Sequence, residues 1–250
     1  MATTVKIYGE RHTAVELAAN MLRHNFDVTL LPGMAGELDP KLGAKMQTMM
    51  GGRLLERKDT VTVREAFIDR MFLSDKDRTL GWIHGAPLMP VIERRDDALH
   101  LVVVVRHIYS WLVAMHKKPL NALTSVAPEM ETFLRSPWVS VRRENVAPAF
   151  TSPIDLWAQK MRSYVALHQL AEQKGFGFTV IRYEDLIRDQ LATVTRLGDV
   201  FTRTAEEFSP EVTDGYTVGD GKTLSDEARS YINKRIDPNI LARFHYALAE

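Results

Sequence analysis

Three stretches of the chain combine residue types that bind or move charge. The first is Gly9-Glu10-Arg11-His12-Thr13-Ala14-Val15, a glycine-led loop ahead of a helical pattern. Such a loop turns unpaired amides and the positive end of a helix dipole toward an anion. Arg11 and His12 can add charge, and Thr13 can supply a hydroxyl donor or an N-cap. The second is Arg106, directly after the run LHLVVVV. A guanidinium there can grip a phosphate through two parallel hydrogen bonds, or it can pair with an acid at the sheet edge. The third is His84 in WIHGAP. An imidazole of ordinary pKa, about 6.5, can take a proton from an acceptor hydroxyl; a half-buried turn histidine is the plainer reading.

The elements around these residues form a pattern. Thr4 to Tyr8 reads as a strand, and Leu17, Met21 and Leu22 fall at helical spacing. Together they make the opening β-loop-α of a doubly wound fold. Phe26 to Leu31 reads as a second strand, and Val63 to Phe72 as a helix. Leu80 to His84 is a short strand candidate. Leu99 to Val105 is the clearest strand, since an unbroken β-branched run suits a parallel strand covered on both faces. His107 to Met115 reads as a helix. Pro153 opens another, running to about Gln173. Gly177 to Arg182 reads as a buried strand, followed by a helix to about Phe201, and the chain is helical again from Ser225. Residues 34–60 give no clear pattern. The proline-interrupted stretch 121–151 reads as short helices and loops, a lid or acceptor-pocket insertion with Phe133, Trp138 and Phe150 as apolar walls or plain packing. The three charged stretches then share the carboxyl edge of one sheet, where open α/β sheets bind ligands.

Composition narrows the chemistry. The chain has 250 residues, 45% hydrophobic and 26% charged, which suits one α/β domain spanning 1–250. Lys plus Arg and Asp plus Glu are 32 each, so the cationic excess of a nucleic-acid binder is missing. Cysteine is absent, which excludes thiolate nucleophiles and disulfides. The histidines show no HExxH-type spacing, so no metal is expected. There is no GxSxG elbow. Neither an apolar signal core nor a spanning segment is visible, and a cytoplasmic protein without a membrane partner is expected.

The chain resembles the sulfotransferases that use 3′-phosphoadenosine 5′-phosphosulfate. VVVVRHIYSWLVAMHKKP is similar to the family's RNPYDWLVSMYRKP segment, and VIRYEDLIRDQLATVTRL to its RYEDLL segment. IYGERHTAVELAANMLRHNF resembles a phosphosulfate loop of form GERNSGTNYL. GWIHGAP and SPIDLWAQKMRSYVAL are similar to WKHGxP and PIxLWxxKxRSY stretches, in matching order. The resemblance implies a three-layer, P-loop-like α/β fold with a central, mainly parallel sheet flanked by helices. It implies sulfuryl transfer from the phosphosulfate donor to a hydroxyl or amine of a small-molecule or glycan acceptor, without a metal. Homodimers are common in the family. Arg106 would bind the 3′-phosphate, and Tyr183 would lie near the adenine. Arg11, His12 and Thr13, with the amides of Ala14 and Val15, would face the phosphosulfate. His84 would be the general base, and His12 stands where many relatives have a catalytic lysine.

Some positions depart from the family. Thr13-Ala14-Val15 replaces Ser-Gly-Thr, Ile83 replaces a lysine, and Ala114 replaces the serine that joins the arginine at the 3′-phosphate. Ser110 lies nearby and can partly compensate. Each lost contact to a charged oxygen costs about 1.5–3 kcal/mol. These departures define the alternative, a degenerate sulfotransferase-fold binding protein. A nucleoside triphosphate enzyme is less well served, because GxxxxGK(S/T) is missing.

Overall fold

The computed structural model describes residues 2–50, 57–204, 207–213, 215–216 and 223–248. Strand β1 (Thr3–Gly9) leads to helix α1 (Val15–Asn25) and the short strand β2 (Val28–Leu30). Helices α2 (Ala35–Leu38), α3 (Leu42–Met50), α4 (Arg57–Ser74), α5 (Lys76–Thr79) and α6 (Met89–Glu93) precede strand β3 (His100–Val105). Helices α7 (Ile108–Lys117) and α8 (Met130–Arg135), strands β4 (Trp138–Val139) and β5 (Ala149–Phe150), and the long helix α9 (Pro153–Lys174) follow. Strand β6 (Gly177–Arg182) and helices α10 (Tyr183–Arg188), α11 (Gln190–Leu197), α12 (Asp226–Asn233) and α13 (Pro238–Ala242) complete the chain.

The central sheet has the order β2-β1-β3-β6, and every pairing is parallel. All six residues of β3 are buried. Their side chains alternate between faces. Leu101, Val103 and Val105 pack with residues of α7, α8, α9, α12 and α13. Val102 and Val104 pack with residues of α1, α4, α10 and α11. The result is a three-layer α/β architecture with a core on each side of the sheet. Helix α9 is delimited as its sequence suggests. Ser152 accepts a hydrogen bond from the Asp155 amide, Pro153 takes the first turn, and Gly175 closes the helix at φ 70°. Among the described residues no helix is long and apolar enough to cross a membrane.

Several sequence expectations need correction. Leu80 to His84 is a turn, not a strand: Leu80 (φ 53°) and Gly81 (φ 101°) lie in the left-handed region, which breaks extended pairing. Strand β6 is an edge of the sheet and is mostly half-buried, although it is apolar enough to read as interior. The helix expected to run to about Phe201 ends at Leu197 as α11, and Tyr183 to Leu186 belong to a separate helix, α10; Asp189 divides the two, and its side chain caps α11. The segment 121–151 contains an antiparallel β4–β5 pair as well as helices. Phe133 and Trp138 are buried in the core, as plain packing would have them, and Phe150 is half-buried against it.

Strand β1 carries a lysine at an interior position. Lys6 is fully buried, and its Nζ donates to the carbonyls of Gly81 (2.6 Å) and Pro32 (3.2 Å). The Tyr8 hydroxyl donates to the Leu80 carbonyl at 2.6 Å. These two side chains pin the 80–81 turn to β1, with its carbonyls facing donors instead of a neighbouring strand. Burial pushes the Lys6 pKa down to about 7. An unfolded lysine holds its proton to about pH 10.4. Between those values the unfolded chain binds more protons, so stability rises with pH. The buried Tyr8 and Tyr246, raised by burial, oppose this only near pH 10 and above. The urea midpoint is therefore expected to rise from about pH 7 to about pH 9, and Lys6→Met should flatten that rise. A midpoint equally pH-dependent in the two proteins would show that Lys6 is not its source.

Candidate active site

The sheet order fixes where a ligand crevice can open. From β1 the chain crosses outward to β2 and then back past β1 to β3, so the winding reverses between β1 and β3. Reversals of this kind leave a crevice outside the carboxyl ends of the two strands. Gly9 pairs with Val104 in register, so the loop after β1 and the segment after β3 emerge side by side. Two indoles secure these ends. Trp111 donates to the Arg11 carbonyl at 2.8 Å, and Trp157 to the Arg106 carbonyl at 3.3 Å.

Arg106 joins the two segments. Its Nη1 donates to the His12 carbonyl at 2.7 Å and its Nε to Ser110 Oγ at 3.0 Å. The guanidinium lies 3.9 Å over the Tyr183 ring. Beside it, Glu184 accepts from the His107 amide at 3.0 Å and from the Tyr246 hydroxyl. Arg106, Ser110, Tyr183 and the His12 main chain therefore form one cluster. Arg106 and Tyr183 are both buried, and burial lowers the arginine's pKa against the opposing pull of Tyr183 and Glu184.

The loop itself is tight. A Cβ on Gly9 would stand 2.7 Å from Thr13 Oγ1, so glycine is required there. His12 (φ 61°) and Ala14 (φ 57°) both adopt the left-handed conformation. Ala14, not Thr13, is the N-cap of α1, and it offers no side-chain cap. The Thr13 hydroxyl instead donates to the Glu10 carbonyl at 2.6 Å. Val15 begins the helix with its side chain buried. The first-turn amides of α1 thus receive no cap from the loop's own side chains, an arrangement suited to an anion.

The geometry sets Arg11 apart from the expected anion site. It is 1% exposed, its Nη2 donates to Glu144, and its Nε lies 3.4 Å from Glu10. Acids 1 and 133 residues away in sequence hold it inside the molecule. His12 points elsewhere as well. Its Nε2–H donates to the Lys118 carbonyl at 2.8 Å, and burial holds its pKa below the ordinary value.

His84 reaches the same edge from the turn after Gly81. A carbonyl can only accept, so the 3.0 Å contact to Gly9 O places a proton on Nδ1. The neutral ring then keeps its lone pair on Nε2. Burial pushes the His84 pKa down to about 4, so the ring is uncharged at neutral pH. It sits edge-on to Trp82, with ring centres 5.0 Å apart.

Sequence reasoning gave no role to Lys160, Glu10 or Glu144. The three meet in the interior: Lys160 Nζ lies 3.2 Å from Glu10 Oε2 and 3.2 Å from Glu144 Oε1. The available signal was Lys160, a charge among the apolar residues Trp157, Ala158 and Met161 of α9. Among known proteins, no family model matches the chain and no curated protein matches it.

The Ala14 backbone generates a test. A non-glycine residue in the left-handed region costs about 1–2 kcal/mol, and glycine's extra unfolded freedom returns about 0.5–1 kcal/mol of that. Ala14→Gly is expected to raise stability by up to about 1 kcal/mol, read as a higher denaturation midpoint. A lowered midpoint would mean that the packing of the buried Ala14 methyl outweighs the relief of backbone strain.

Proposed function

We propose that the chain is a P-loop-like sulfotransferase that moves a sulfuryl group from 3′-phosphoadenosine 5′-phosphosulfate to a hydroxyl or amine. The observation that carries this reading is the meeting of Arg106 with the His12 carbonyl at the β1/β3 crevice, with His84 bonded to Gly9 at the same edge. An anion-binding helix start, a buried arginine and an uncharged imidazole base are the parts such a transfer needs.

In this reading the acceptor oxygen bonds to sulfur while His84 Nε2 takes its proton. The bond from sulfur to the 5′-phosphate oxygen breaks, and its electron pair leaves on that phosphate. The first-turn amides of α1 stabilise the departing charge. Arg106 holds the 3′-phosphate, and Tyr183, stacked on it, borders the nucleotide. Arg11 supports the loop from beneath.

A second reading, a nucleotide-binding protein without transfer, draws on the inward-turned Arg11 and Thr13, which leave the loop short of side-chain donors. Titration calorimetry with 3′-phosphoadenosine 5′-phosphate separates the two. Micromolar binding is expected for the wild type, weakened about 10- to 100-fold in Arg106→Ala, as the loss of one charged contact would give. His84→Ala should bind as tightly but lose about 100-fold or more in turnover. Binding without turnover in the wild type would select the second reading, and no binding at all would remove both.

A further inference from the structure

Lys160, in the first half of α9, makes contacts that simple packing does not require. Its side chain is 0% exposed, and beyond Glu10 and Glu144 its Nζ donates to the main-chain carbonyl of His84. The His84 ring in turn donates to the carbonyl of Gly9, whose neighbour is Glu10. The contacts close a circuit: Gly9 carbonyl, His84 ring, His84 carbonyl, Lys160 ammonium, Glu10 carboxylate, and back along the chain to Gly9. His84 is held at both its ring and its backbone, each time by a group tied to the loop after β1. On the other side of the turn, the Ala86 amide donates to the Glu144 carbonyl at 2.8 Å, which ties the Glu144 segment to the same clamp.

We propose that Lys160 is a positioning residue that fixes the His84 ring against Gly9, so that Nδ1 carries the proton and Nε2 stays free as the base. The catalytic consequence rests on the transferase reading, whereas the ring's tautomer is a property of the chain alone. The charged groups that face His84 are Glu10, Arg11 and Lys160. Of these, Glu10 raises its pKa, and Arg11 and Lys160 lower it. Removing the Lys160 charge therefore moves the His84 pKa upward.

The test is nitrogen NMR of ring-labelled histidine, with the His84 signals assigned by their loss in His84→Gln. The wild type is expected to show Nδ1 protonated and Nε2 bare at neutral pH. In Lys160→Met the Nε2–H tautomer should gain population and the titration should shift upward; Lys160→Arg should restore the wild-type pattern. His100, bonded to Thr179 Oγ1 at 2.8 Å near the opposite end of the sheet, reports whether the fold is kept. Where Lys160→Met does not fold, Lys160→Gln, which keeps a donor without the charge, is read in the same way. In the transfer assay Lys160→Met should lose at least tenfold in kcat with donor affinity within threefold, and Lys160→Arg should recover it. A wild-type ring protonated at Nε2, or a His84 signal unchanged in the folded Lys160 variants, would overturn the proposal. A wild type that binds no donor but shows the clamped tautomer, and loses it in Lys160→Met, would sink the transferase reading and leave the clamp standing.

Discussion

Four ionisable side chains buried beneath the β1 loop govern the arrangement around it. Glu10 and Arg11 come from the loop, Glu144 from the 3-10 turn Arg142–Glu144, and Lys160 from α9, each with 0–1% of its side chain exposed. Two acids and two bases balance. Taking such groups out of water costs several kcal/mol per ion, and only close pairing offsets it. Removing one member of a buried pair typically costs about 3–5 kcal/mol, because the remaining charge is stranded. The cluster continues through Trp82, whose ring centre is 5.9 Å from the Arg11 guanidinium and 4.4 Å from that of Arg143. Arg143 is paired with Glu65 and Asp69 of α4. One electrostatic chain thus links the loop, the turn at 82–86, the 142–144 segment and two helices.

An apolar interior of equal volume would often be as stable or more so. What ion pairing adds is direction, since each contact has a required partner and distance. Here Lys160 also holds the carbonyl of His84, while the Thr13 hydroxyl and the His84 ring hold those of Glu10 and Gly9. The unpartnered Tyr164 hydroxyl and Glu144 Oε2 show that the cluster is not fully satisfied by protein atoms. Buried polar atoms of this kind commonly hold ordered water.

The sheet and its flanking helices were legible because their signals are local. An unbroken valine run can hardly be anything but a covered parallel strand, and Ser152-Pro153 with Gly175 brackets a helix by capping chemistry alone. The convergence of Gly9 and Arg106 followed from strand ends and needed no side-chain detail. Arg11 could not be read this way. Beside a helix start it has the type of an anion ligand, and the acid that turns it inward lies in a segment read as lid or loop. Leu80 to His84 failed for a related reason. Its composition suits a strand, but the carbonyls of Leu80 and Gly81 are claimed by Tyr8 and Lys6, polar tips that a strand pattern ignores.

These partners also bear on the departures from the sulfotransferase pattern. Main-chain amides at a helix start do not depend on the side chains there, so Ala14 and Val15 leave the first-turn donors intact. Ala14 even takes up the left-handed conformation in which a glycine would be unstrained, held there by its neighbours at a cost in backbone strain. With Arg11 and Thr13 turned inward, Arg106 still meets the loop's main chain, at the His12 carbonyl. In the proposed reading, a site so built would recognise an anion chiefly through backbone geometry. Its affinity then depends on how rigidly the loop is held, and that returns the question to the charges buried beneath it.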